Sequence, residues 1–434
     1  MAMLLSAAAT LLLLATPAAA AAATAKKKPN IVLFLCDDQD MTLGGWSPMK
    51  QTDAVWSAKG ATAKNWFIHT PVCCPSRAEL LSGRYAHNVR MNTTKGGCMH
   101  MDTNKVNPNS FGKYLGGQGY TMGWFGKHMN QCPHDPPPGW DCPTCYWFAN
   151  GGGNDNEPGG FFNATFSDFK GGVPVVEPAL YGGKTGSYKA NTAGEFAGYT
   201  TSIIANRSIA WLHEVAKGPK PFFFAVAPKA PHVAATPAPW YLTGTYIDQL
   251  SAPRDPAFNA SKELLADHHW LISQQDIITT EQGEAIDHLF RDRWRSLLSV
   301  DDAVVGVMAA LEQLDVLENT FMFFTSDHGY NVSAITPLCP VSLCHLPVHL
   351  TQQLVIVCLQ LGQHRLPSCK LNVYDHDIRI PMVIRGPGIK PGSTFDFIGS
   401  NVDVAPTFLA LAGVDPTTTE PPMDGGWALP YCLL

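Results

Sequence analysis

The sequence predicts an α/β protein built on a mostly parallel central sheet with helices on both faces. Three observations carry the prediction. Continuous apolar runs of strand length recur along the chain, helical patterns fill the intervals, and polar residues with useful chemistry stand just beyond the runs. With 434 residues, 45% of them hydrophobic, the chain has ample length for a large buried core.

The first run, NIVLFLC (Asn30 to Cys36), is apolar almost throughout, as a strand covered on both faces must be, and it stops at the acidic DDQD. A helical pattern follows near Asp53 to Lys59. Tyr120 to Gly126, Pro221 to Pro228, Asn319 to Asp327 and Ile380 to Gly388 read as further buried strands. Ser110 to Leu115, Phe196 to Val215 and Ala285 to Leu314 read as the helices between them, and no repeat period appears. In such sheets ligands collect beyond the carboxyl ends of the strands. Asp37 and Asp38, Lys127, His232, and Asp327 with His328 all fall there. Taken singly, a paired Asp is commonly a turn or helix cap, a His in a proline-rich loop a packing residue, and a Lys a solvated charge. Taken together, the acids suit a hard cation and the bases an anionic ligand.

A formal net charge of −6 leaves no basic footprint for nucleic acid. Residues 1–25 are expected to be a signal peptide: Met3 to Ala15 has the length of its apolar segment, small residues run from Ala18 to Ala25, and only a positive leading charge is missing. That segment is too short for a membrane span, and no later stretch offers one. Sequons at Asn92, Asn163, Asn206 and Asn259 agree with secretory passage. Twelve cysteines in an oxidising lumen imply disulfides. Cys132, Cys142 and Cys145 share one Pro/Gly-rich loop without a second ligand pair at zinc spacing, so a stapled or free-thiol loop is expected there. The adjacent Cys73 and Cys74 are poorly placed to pair with each other.

Cys73-Cys74-Pro75-Ser76-Arg77, followed by Leu81-Ser82-Gly83, resembles the sulfatase signature C-x-P-S-R-x-x-x-L-[TS]-G. The resemblance continues through GWFGK at Lys127, APHVAATP at His232, TSDHGY at Asp327 and YDHDIRIPMVIRGPGIKPGS, and so covers nearly the whole chain after residue 29. LCDDQD, CCPSR, WLISQ and RWRSLLSVDD are most similar to N-acetylglucosamine-6-sulfatases and nearby arylsulfatases. The resemblance implies an alkaline-phosphatase-like fold over residues 29–434 and hydrolysis of sulfate esters of sugars or of aryl sulfates. It implies that a formylglycine-generating enzyme oxidises Cys73 to formylglycine, whose gem-diol attacks sulfur and then expels sulfate from a covalent sulfo-enzyme. It assigns Asp37, Asp38, Asp327 and His328 to calcium, together with residue 73. Arg77 steadies the diol and the metal cluster. Lys127, His232 and Lys370 contact sulfate, and His232 is a proton donor to the leaving alcohol. Pro75 suits a first helical turn, which places residue 73 at a helix N-terminus where an anion is favoured. Met129 stands where many arylsulfatases have histidine, with His128 beside it.

Two segments depart from the family. Val332 to Gln360 interrupts the pattern between DHGY and LGQ, carries no Asp, Glu, Lys or Arg, and holds three of the twelve cysteines. It begins with a residue whose codon starts GT and ends with one whose codon can be CAG, so it is expected to be an aberrant insertion, a retained intron or a gene-model error, with a genuine lineage-specific loop or lid as the alternative. At the other end, MDGGWALPYCLL resembles a family motif and stops before the smaller C-terminal subdomain, which is expected to be truncated. Two other readings stand beside hydrolysis of sulfate esters. One is a phosphate or phosphonate ester hydrolase of the same superfamily. The other is an impaired sulfatase-like protein that at most binds sulfated glycans. The expected location is the secretory route, ending outside the cell, in the wall, or in a lysosome- or vacuole-like lumen.

Overall fold

The computed structural model describes residues 27–90, 101–129, 137–140, 146–148, 161, 165–168, 175–178, 199–233, 235–273, 276–330, 363–365 and 372–427. Residues 1–25, the segment 332–360, Lys370, Cys132, Cys142, Cys145, Asn92 and Asn163 lie outside them.

The strands are β1 (Asn30–Cys36), β2 (Ala61–Phe67), β3 (Thr121–Lys127), β4 (Tyr146–Phe148), β5 (Thr165–Asp168), β6 (Val175–Pro178), β7 (Phe222–Ala227), β8 (Thr320–Ser326), β9 (Met382–Arg385) and β10 (Ser393–Ser400). Among the described residues they form one sheet in the order β10-β2-β9-β8-β1-β7-β3-β4-β5-β6. Its centre is parallel: Leu33 of β1 lies between Ala225 of β7 and Phe323 of β8, and β3 continues parallel to β7. β9 departs from this arrangement. The run Ile380 to Gly388 does form a buried strand, but it lies antiparallel to both β8 and β2.

The helices longer than one turn are α1 (Lys50–Val55), α2 (Cys73–Ser82), α3 (Phe111–Gly117), α4 (Thr200–Val215), α5 (Thr280–Gln313) and α6 (Val404–Leu411). They cover both faces because the central strands are apolar on both. Ile31, Leu33 and Leu35 join a core with Leu80, Leu81, Phe111, Phe408 and Leu409. Val32, Phe34 and Cys36 point the other way, into a core with Ile204, Leu212, Val300, Val304 and Leu311. The period-2 alternation of one strand thus feeds two separate cores. α5 begins at a reciprocal cap: Gln282 N–H donates to Thr279 Oγ1 (3.3 Å) and Thr279 N–H to Gln282 Oε1 (2.8 Å). α2 ends at Gly83, whose φ of 67° is left-handed and suits glycine. No helix among the described residues is long and apolar enough to cross a membrane.

Candidate active site

β1, β3, β7 and β8 run in the same direction, so their ends open onto one edge of the sheet. Asp37 and Asp38 follow β1, Lys127 closes β3, His232 follows β7, and Asp327 and His328 follow β8. α2 aims its first residue, Cys73, at the same place. All of these side chains are buried, at 0–5% exposure.

Ligand atoms of Asp37, Asp38, Cys73 and His328 lie within 4.8 Å of one another. Cys73 Sγ stands 3.6 Å from Asp37 Oδ1 and 3.5 Å from His328 Nε2. His328 Nδ1 faces the Gly329 carbonyl at 2.6 Å, so its proton belongs there and the Nε2 lone pair points into the cluster. From Nε2 it is 3.2 Å to Asp38 Oδ1 and 3.7 Å to Asp327 Oδ1. Asp327 stands one step back: Oδ1 accepts the N–H groups of Asp38 (3.0 Å) and His328 (2.9 Å), and Oδ2 accepts Arg77 Nε (2.8 Å).

Two cations offset this charge. Arg77 also donates Nη1 to the Lys127 carbonyl (2.6 Å) and places Nη2 3.5 Å from Asp37. Lys127 Nζ donates to both Asp37 oxygens at 2.9 and 2.7 Å. Burial works against the charge on both side chains. The surrounding carboxylates outweigh it, Asp327 and Asp37 for Arg77 and chiefly Asp37 for Lys127, so both pKa values are raised. Burial also pushes Asp327 above the usual carboxylate range, although Arg77 and, when protonated, His328 pull it down. Beneath the cluster the free Cys36 thiol is pushed well up by burial and by Asp327, which leaves it unreactive.

Among the described residues, the three carboxylates Asp37, Asp38 and Asp327 outnumber the two cations Arg77 and Lys127, in a site rich in oxygen with one imidazole nitrogen. That donor set fits a bound cation of the hard class, with His328 held in the tautomer a ligand needs. His232 reaches the rim of the cluster, its Nε2 3.8 Å from Asp38 Oδ2. Its Nδ1 is engaged with the Val233 carbonyl, so Nε2 is the nitrogen available to pass a proton.

Several participants are given no role by the sequence motifs. Ser76 Oγ donates to the Asp327 carbonyl. Asn401 Nδ2 donates to the Ser326 carbonyl (3.1 Å), while its Oδ1 accepts Trp66 Nε1 (3.1 Å). Arg293, in the middle of α5, reaches the loops after β1 and β7. A buried polar side chain must find partners, but sequence alone does not reveal which chain segments supply them. His128 packs edge-on against Trp124 (centroids 4.9 Å apart), and burial, helped by Arg77, pushes its pKa down to about 3. Cys74 is disulfide-bonded to a partner outside the described residues. Of the sequons, Asn206 lies within α4, and Asn259 uses its amide on Ile278, with Nδ2 donating to the carbonyl (3.2 Å) and Oδ1 accepting the N–H (2.9 Å).

A family model described as Sulfatase matches residues 29–414. The chain belongs to the sulfatase family. Among its relatives, the N-acetylglucosamine-6-sulfatase of Homo sapiens is 34% identical over 93% of this chain and 64% of its own length. The Capra hircus protein of the same name is 33% identical over 93% and 63%. The chain therefore spans less than two thirds of these relatives. Among solved structures, BT4656, in complex with its substrate D-glucosamine-2-N,6-O-disulfate, superposes with a TM-score of 0.60 at 22% identity, covering 94% of this chain and 80% of that one. At that identity the likeness supports the sulfatase fold alone.

Proposed function

We propose that this sulfatase-family chain hydrolyses sulfate esters of N-acetylglucosamine 6-sulfate-like sugars or of aryl alcohols. The observation that carries the proposal is the placement of Cys73. It is the first residue of a buried helix, within 3.6 Å of Asp37 and His328, and Arg77 and Lys127 supply positive charge beside it. As formylglycine, residue 73 would supply an aldehyde hydrate as nucleophile, and a calcium ion held by Asp37, Asp38, Asp327 and His328 would stabilise charge developing on sulfate oxygen. Lys127 is then shared between Asp37 and the ester's anionic group. Arg77 fixes the orientation of Asp327 and Asp37, and His232 Nε2 protonates the departing alcohol. Lys370 is assigned to sulfate by the family resemblance. The sugar preference rests on the names of the relatives and on the disulfated glucosamine bound by BT4656.

The proposal extends to processing. Residues 1–25 act as a signal peptide, a formylglycine-generating enzyme acts during secretory passage, and 29–434 form the catalytic domain with 332–360 as an aberrant insertion.

The test uses chain co-expressed with a formylglycine-generating enzyme, with and without residues 332–360. The peptide from Asn65 to Arg77 should show –CHO in place of –CH2SH by mass, and an aryl sulfate and N-acetylglucosamine 6-sulfate should be turned over. An intact thiol with turnover of a phosphonate ester alone would transfer the chain to that chemistry. Calcium-dependent glycan binding without turnover in both forms would make it a binder.

A further inference from the structure

Arg293 is 3% exposed and sits in the middle of the 34-residue helix α5. A guanidinium there is costly unless its donors are met, and they are met by the loops that follow β1 and β7. Nη1 donates to the carbonyl of Pro231, just before His232, at 2.9 Å. Nη2 donates to the carbonyl of Asp38 at 2.7 Å and to Asp40 Oδ1 at 3.2 Å. The guanidinium carbon lies 5.1 Å from the centre of the Tyr330 ring, two residues beyond His328. One side chain thus ties together the segments that follow β1, β7 and β8.

The backbone of Asp38 shows what this tie accomplishes. In extended chain, successive side chains point to opposite faces, so Asp37 and Asp38 could not both enter one cluster. They do so because Asp38 adopts φ 68°, a left-handed conformation that an aspartate adopts only at some cost. It is held from both sides: its N–H donates to Asp327 Oδ1 at 3.0 Å and its carbonyl accepts from Arg293. We infer that Arg293 is a positioning residue for the cation cluster, holding Asp38 in the kinked conformation that turns its carboxylate toward His328 and anchoring the His232 loop beside it. The inference rests on the cation reading proposed above.

Charge and positioning predict opposite signs. Removing a positive charge near a cation site tightens cation binding by electrostatics alone, whereas loss of the kink weakens it. The experiment is calcium titration by calorimetry on the full chain, comparing wild type with Arg293→Gln, Arg293→Lys and the control Arg295→Gln, whose residue pairs with Asp248 and Asp292 instead. Arg293→Gln should weaken calcium roughly tenfold or more, the range typical of residues that orient metal ligands, with Arg293→Lys intermediate and the control unchanged. Equal or tighter binding by Arg293→Gln overturns the inference, and if that variant does not fold, Arg293→Lys binding like wild type does the same.

Hydrogen exchange in EDTA supplies a readout without metal. Arg293→Lys should speed exchange in the peptide spanning 36–41, and unchanged exchange there overturns the inference. Wild type that binds no calcium, combined with faster exchange in Arg293→Lys, would remove the cation reading and leave the clamp standing.

Discussion

Replacing Arg77 by methionine keeps much of the length of the side chain and removes its charge. Arg77 is wholly buried and is a counter-charge to two buried carboxylates, 2.8 Å from Asp327 and 3.5 Å from Asp37. Lys127 still covers Asp37 in the variant, whereas Asp327 loses its guanidinium partner and is left with the N–H groups of Asp38 and His328. Breaking one side of a buried pair costs about 3–5 kcal/mol. The Lys127 carbonyl, losing its 2.6 Å donor, adds roughly 1–2 kcal/mol. Arg77→Met should therefore lose about 4–7 kcal/mol, a large share of the ~5–15 kcal/mol typical of folded proteins.

The sign with pH is fixed. Asp327 is already pushed up by burial, and without Arg77 it rises further. A carboxyl with a raised folded pKa takes up its proton in the folded state first, so the penalty is largest at neutral pH and shrinks as pH falls. Calcium should recover part of the loss by restoring positive charge. Urea unfolding of both proteins, at neutral and mildly acidic pH, with EDTA or calcium, measures all of this. A loss below about 1 kcal/mol at neutral pH would refute the reasoning, since no buried counter-charge is that cheap to remove.

Two further outcomes are expected. In Gly329→Ala the new Cβ would stand 2.0 Å from the His376 carbonyl oxygen, so the backbone after His328 must shift. Cation affinity and turnover should then fall, with a stability loss of about 1–3 kcal/mol, as read by calorimetric titration and melting. His128, with its pKa held down to about 3, is charged later in the folded chain than in the unfolded one as pH falls. Burial of the neutral ring therefore carries no penalty above the unfolded value near 6.5, and stability is lost as pH falls from there toward 3; His128→Phe should flatten the slope of stability against pH in that window, measured by urea unfolding.

The sequence by itself determined the parallel centre of the sheet and pointed to most of the residues that gather at the candidate site. NIVLFLC is apolar on both faces and must be a doubly covered strand, and β1 occupies those same residues. Cys73, Lys127, Asp327 and their neighbours were legible because they sit in contiguous motifs or directly after such strands. Tertiary structure decided what has no local pattern. β2 and β10 mix buried and exposed positions, including Lys64 and Asp396, which pair with each other at 2.9 Å, so neither segment stands out as a strand in sequence. The direction of β9 depends on how the chain returns to the sheet, and its own residues look the same either way. Arg293 opens the RWRSLLSVDD motif, but nothing in that motif says that it reaches Asp38, and Asn401 looks like any loop amide. Their burial and their bonds to Asp38 and Ser326 exist only because distant segments converge. Sequence patterns report what a residue's chain neighbours require, whereas the satisfaction of a buried charge is set by partners far away along the chain.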